Sequence, residues 1–112
     1  MAQRKRIDDI GALLKLKHEI DLQQLADARR AERALRAKLD GLAAELSARG
    51  QADDLSAAFG NDAIWAARIV VKQRELAKGL EPLAQDSLEK RKRAEYSFGR
   101  VSAFDGLVDR LK

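Results

Sequence analysis

Gly50-Gln51-Ala52-Asp53-Asp54-Leu55-Ser56-Ala57-Ala58-Phe59-Gly60-Asn61 is the stretch that decides the fold of this 112-residue chain. It gathers glycine, aspartate, serine and asparagine, the residues of turns and helix caps. On either side, apolar residues recur three and four apart, the period of an amphipathic helix. The chain therefore reads as all-α, an antiparallel two-helix coiled-coil hairpin forming one unit. The spacing predicts a helix over 8–49, a loop over 50–61 and a helix over 62–111.

In the first half Leu25, Ala28, Leu35, Leu39, Leu42 and Leu46 keep a 3-4 spacing, interrupted by Glu32. Closer to the N-terminus, Ile7, Ile10, Leu13, Leu14, Leu16, Ile20 and Leu22 spread round much more of the helix. One partner helix cannot cover so wide a band, which points to a second contact from another subunit or another protein. Asp8 or Asp9 is the expected N-cap, and Arg49-Gly50 the expected close, with a cation and a C′ glycine. The rod so defined is roughly 60 Å long at ~1.5 Å per residue.

The second half opens on Asn61 or Asp62 as cap. Its seam runs through Ile69, Leu76, Leu80 and Leu83, then the weaker Ser87, Lys90, Ala94 and Ser97, then Val101, Phe104, Val108 and Leu111. Gly79 and Pro82 interrupt the pattern. Proline removes an amide donor and crowds the carbonyl four residues back, at Lys78, so a kink is expected near Gly79-Pro82, with a full break as the alternative. Folding at the loop sets residues whose numbers sum to about 115 opposite one another, as antiparallel geometry requires. Leu39 then meets Leu76, Leu35 meets Leu80, Leu14 meets Val101 and Ile10 meets Phe104.

Composition agrees with long helices rather than a globular core. Charged residues make up 36% and aromatics only 4%, and much of the 46% hydrophobic share is alanine. The 22 basic and 18 acidic residues fit an ion-paired helix surface better than a nucleic-acid face. With no cysteine, disulfides and thiolate metal sites are excluded, which is compatible with a reducing cytoplasm. No apolar run approaches the ~18 residues of a membrane span. Arg4-Lys5-Arg6 is followed by Asp8 and Asp9, where a signal peptide needs an apolar core. A cytoplasmic location is the expectation.

Chemistry is sparse. His18 faces Ser97 by the pairing, and a half-exposed polar seam residue explains it more simply than a pH switch or a ligand. Asp53, Asp54 and Asp62 do not match a calcium loop, and turn formation and capping account for them. Gly50 and Gly60 stand too far apart to cradle a phosphate. No serine has a histidine at a suggestive spacing, and a two-helix rod has no concave site. No enzymatic activity, cofactor or metal is expected. Trp65 and Phe59 either plug the hairpin tip against Leu46 and Leu42 or anchor an interface.

Lys90, Arg91, Lys92 and Arg93, with Arg100, form the strongest basic group. Four consecutive helical residues girdle the helix, and no aromatics interleave for base stacking. Protein docking or solvation outranks a phosphate track. Tyr96, Phe98 and Phe104 gather with the wide apolar band toward the paired termini. The expected partner surface is thus Ile7, Ile10, Leu13, Leu16, Ile20, Lys90, Arg91, Lys92, Arg93, Phe98, Arg100 and Phe104.

The overall plan, the segment Leu14-Lys15-Leu16-Lys17-His18-Glu19-Ile20-Asp21-Leu22-Gln23-Gln24-Leu25-Ala26 and the closing Ser97-Phe98-Gly99-Arg100-Val101 carry a resemblance. The chain resembles a short member of the flagellar export stalk proteins and is similar to the stalk proteins of type III secretion, antiparallel coiled coils shaped like the rotary-ATPase gamma subunit. The resemblance implies a non-enzymatic stalk or adaptor. Its paired termini would insert into an export ATPase ring, and its exposed side chains would touch an export gate or chaperones. Two other functions stay open: a self-associating coiled coil, two hairpins making a four-helix bundle dimer, and a basic-patch nucleic-acid binder.

Overall fold

The computed structural model describes residues 2–51 and 61–112. Two helices account for nearly all of them: α1 over Ala2–Gln51 and α2 over Asn61–Leu111. They pack against each other, and no strand occurs among the described residues. The hairpin is all-α. The loop residues Asp53, Asp54, Ser56, Phe59 and Gly60 lie outside the described residues.

Two sequence expectations are corrected, both on the bounds of α1. α1 starts at Ala2, so Asp8 and Asp9 do not cap it and stand exposed within it. Ala2, Gln3, Arg4, Lys5 and Arg6 are all strong helix formers, and nothing among them stops the helix from extending past the aspartates. At its other end α1 runs through Gly50 to Gln51. Of the two readings offered at Gly79-Pro82, the full break is removed: α2 passes both residues as one helix. Pro82 is exposed, and so is Lys78, whose carbonyl loses its usual amide donor.

The helices form two compact units. One unit takes the chain up to Arg29 together with Gln85–Lys112. Its α1 seam runs through Ile7, Gly11, Leu14, His18, Asp21, Leu25 and Ala28, all buried or half-buried. Its α2 seam runs through Ser87, Lys90, Ala94, Ser97, Val101, Phe104 and Val108. Both follow a strict 3-4 alternation, the coiled-coil pattern. Gly11 is needed there: a Cβ at that position would stand 2.8 Å from Phe104 Cε1. Gly11 with Phe104 and His18 with Ser97 each sum to 115, which fixes the antiparallel register.

The buried apolar side chains of the described residues are Leu25, Ala28 and Ala94, all in this unit. Three polar residues are buried with them: Asp21, Ser87 and Ser97. A two-helix seam has only one row of contacts, so few side chains lose all their water.

The other unit is Arg30–Ala84. Its seam sets Leu35, Leu39, Leu42 and Leu46 with Ile69, Leu76, Leu80 and Leu83, every one half-buried. The Gly79 Cβ position lies 3.5 Å from Leu35 Cδ2, and the Arg49 guanidinium sits 4.3 Å from the Trp65 ring centroid. Both pairs sum to 114. Trp65 is half-buried beneath that cation, an arrangement that holds its indole at this end of the unit.

Candidate protein-docking face

The unit holding the helix ends contains a polar layer and an uncovered apolar surface, and the layer comes first. His18 Nδ1 and Ser97 Oγ are 2.8 Å apart, and Ser97 Oγ is 3.1 Å from the Ala94 carbonyl. Asp21, 2% exposed, accepts a 2.7 Å bond from Lys17 Nζ. The Lys17 ammonium holds the Asp21 carboxyl below the usual carboxylate range, against the opposing effect of burial, with help from Ser97 and Arg93.

Serine, histidine and aspartate thus meet, but not as a catalytic relay. Ser97 has one proton, and the Ala94 carbonyl stands within its reach. With the proton placed there, His18 donates through Nδ1–H, and in that tautomer the nitrogen cannot take the serine's proton. Asp21 holds Lys17, whereas a triad carboxylate orients the histidine. The cluster is a hydrogen-bonded layer in the seam. The pairing by number anticipated His18 with Ser97; Asp21 went unnoticed because apolar counting passes over it.

The apolar band divides once the seam is placed. Ile7, Leu14 and Phe104 are half-buried in it. Ile10, Leu13, Leu16 and Ile20 point away and are 48%, 65%, 52% and 44% exposed. Their spacing of three, three and four makes one continuous stripe on the outside of α1. Leu22, Tyr96, Phe98 and Leu107 are exposed as well.

The basic run behaves differently. Lys90 belongs to the seam, half-buried and 3.4 Å from Asp86, and Arg91 pairs with Glu95 at 2.9 Å. Lys92 and Arg93 are exposed on other sides of the helix. The four cations share no face. Arg100 stacks 5.9 Å from the Tyr96 ring, and Phe98 lies 5.7 Å from His18.

No known family matches the chain, and no curated protein or solved structure is significantly similar to it.

No helix among the described residues is long and apolar enough to cross a membrane, and none of them form a group of three or more potential metal ligands. A shallow groove between the helix ends is lined by Arg4, Ile7, Asp8, Val108 and Leu111. It is open to solvent and is no enclosed cavity.

Proposed function

We propose that this chain is a non-enzymatic helical-hairpin adaptor that docks on a protein partner through the unit holding its helix ends. One observation carries this. The stripe Ile10, Leu13, Leu16 and Ile20 is left open by the hairpin's own packing, and such contiguous apolar surface marks interaction sites. Covering it removes four large side chains from water, worth about 1.5–3 kcal/mol each when burial is complete.

The resemblance to export stalk proteins gives the specific form, a cytoplasmic rod working with an export ATPase. Co-purification with a hexameric ATPase, and loss of secretion on deletion of the gene, are the expected results. Unchanged ATPase activity on adding the chain, together with no pulldown, removes that specific form. A four-helix dimer is the competing assembly, and light scattering at tens of micromolar decides it. A nucleic-acid role has less support, since two of the four clustered cations already hold acidic neighbours.

A further inference from the structure

With the seam fixed, each exposed position beside it belongs to one of two flanks. Residues immediately preceding a seam residue lie on one flank of both helices, and those immediately following lie on the other. Reversal of direction in an antiparallel pair keeps like flanks together.

In the terminal part of this unit the preceding flank reads Arg6, Ile10, Leu13, Lys17 and Ile20 on α1. On α2 it reads Arg93, Tyr96, Arg100, Ala103, Leu107 and Arg110. These are five cations, six apolar or aromatic residues and no carboxylate, all exposed. The following flank is the opposite. Asp8, Glu19, Glu95, Asp105 and Asp109 stand there against Lys15 and Lys112, with Leu22 and Phe98 as the large apolar members. The buried Asp21, paired with Lys17, offsets charge beneath the basic side, and further along the unit the same flank turns acidic at Asp27, Asp86 and Glu89.

We infer that the basic flank is a docking groove for an acidic amphipathic helix of a partner protein. This rests on the adaptor function proposed above and names its face and partner chemistry. The apolar stripe along α1, extended by Tyr96 and Leu107 on α2, is the shape that a helix covers with residues at i, i+3, i+4 and i+7. Arg6, Lys17, Arg93, Arg100 and Arg110 then meet Asp and Glu at the borders of the partner's apolar stripe. A second copy joined by two-fold symmetry through this flank would set five cations against five cations. That repulsion argues against an isologous dimer here. An anionic membrane shares the charge sign, but a narrow stripe of Ile10, Leu13 and Ile20 on one helix matches a helix better than a planar surface.

The experiment uses the full chain and a labelled synthetic helix of about three heptads, leucine at its core positions and glutamate beside them. Anisotropy should show binding that weakens markedly in about 0.5 M NaCl, where screening is nearly complete. Leu13→Glu with Ile20→Glu should weaken it at least about tenfold, the loss expected for one or two apolar burials. Leu22→Glu, on the acidic flank, should leave it unchanged, and circular dichroism checks that all variants fold. Arg93→Glu with Arg100→Glu should bind a lysine-bordered version of the peptide in preference.

Equal binding by the Leu13/Ile20 variant overturns the assignment. So does a chain that ignores the peptide but binds phosphatidylserine vesicles, or one whose dimer is abolished by Leu13→Glu. A partner whose crosslinks map to Leu22 and Phe98 would leave the adaptor function standing and remove only this face.

Discussion

Three glycines lie inside the helices with nothing beside them, and they should be replaceable at a gain. An added Cβ at Gly41, Gly99 or Gly106 meets no heavy atom within 4 Å. Alanine at each site therefore adds no clash and gains no contact. What remains is helix propensity, about 0.8–1 kcal/mol per Gly→Ala exchange in a helix interior. It acts chiefly by restricting the unfolded chain. Gly106 stands one turn from the end of α2 at Leu111, where the helix frays, so its gain should be the smallest.

Gly41 and Gly99 together should contribute about 2 kcal/mol. For a chain of this length that raises Tm by roughly 8 °C, at about 4 °C per kcal/mol. Gly11→Ala is the control. It has the same propensity advantage, but its Cβ lies 2.8 Å from Phe104 Cε1, and the ring must leave the seam to make room. Thermal and urea melts followed by far-ultraviolet circular dichroism provide the readout. The reasoning is refuted if Gly41→Ala and Gly99→Ala bring no gain, or if Gly11→Ala gains as much. Since Gly41 and Gly99 lie in different units, native-state hydrogen exchange should show each gain in its own unit.

Pro82→Ala should restore the amide donor to the Lys78 carbonyl and stabilise α2 by up to about 3 kcal/mol; a urea midpoint at or below the parent's would show that the proline is not a defect. Ser87 Oγ is buried without a hydrogen-bond partner. Ser87→Ala should therefore raise stability by about 1 kcal/mol, and a loss of similar size would mean the hydroxyl is satisfied in solution. Asp21 titrates below its ordinary range in the folded chain, so its carboxylate contributes full stability above that range and loses it as pH falls through the lowered value. Melts from neutral pH down to about pH 2 should show this acid limb, and Asp21→Asn should flatten it; an unchanged limb would place the loss on other carboxylates.

The seam of α2 was legible residue by residue as far as Val108, while Leu111, expected to end it, is 76% exposed in the last turn. Its 3-4 spacing holds from Ile69 to Val108 even through Ser87, Lys90, Ala94 and Ser97, and all of these are buried or half-buried. The register was legible to within a residue: His18 with Ser97 displays the sum of 115, but Phe104 meets Gly11 in place of the expected Ile10, which is 48% exposed. α1 was harder because its seam passes through Gly11, His18 and Asp21. None of these counts as apolar, while the outward Ile10, Leu13, Leu16 and Ile20 do, so the true stripe looked like a smear. Asp8 and Asp9 misled for a different reason: aspartate favours caps, yet is tolerated in a helix when strong formers precede it. The separation of charge between the flanks had no signal of its own. Adjacent residues fall on opposite sides of the seam, and only the seam's position sorts them.

The polar layer then has a task that stability does not explain. Burying Asp21 and Ser97 costs desolvation that apolar side chains would avoid, so polar layers in coiled coils are best attested as register devices. Register matters here because the basic flank is built from both helices: Ile10, Leu13 and Ile20 come from α1, Arg93, Arg100 and Leu107 from α2. A slip of one heptad would move the two halves of the face about 10 Å apart. Replacing His18, Asp21 and Ser97 by leucine should therefore raise the melting temperature while loosening the alignment. Cysteines placed at positions 14 and 101, on the native sum of 115, should oxidise cleanly in the parent. Cysteines at 14 and 94, one heptad out of register, should crosslink only in the leucine variant. If the variant closes the native pair alone, as fast as the parent does, the His18–Ser97–Asp21 layer does not set the register.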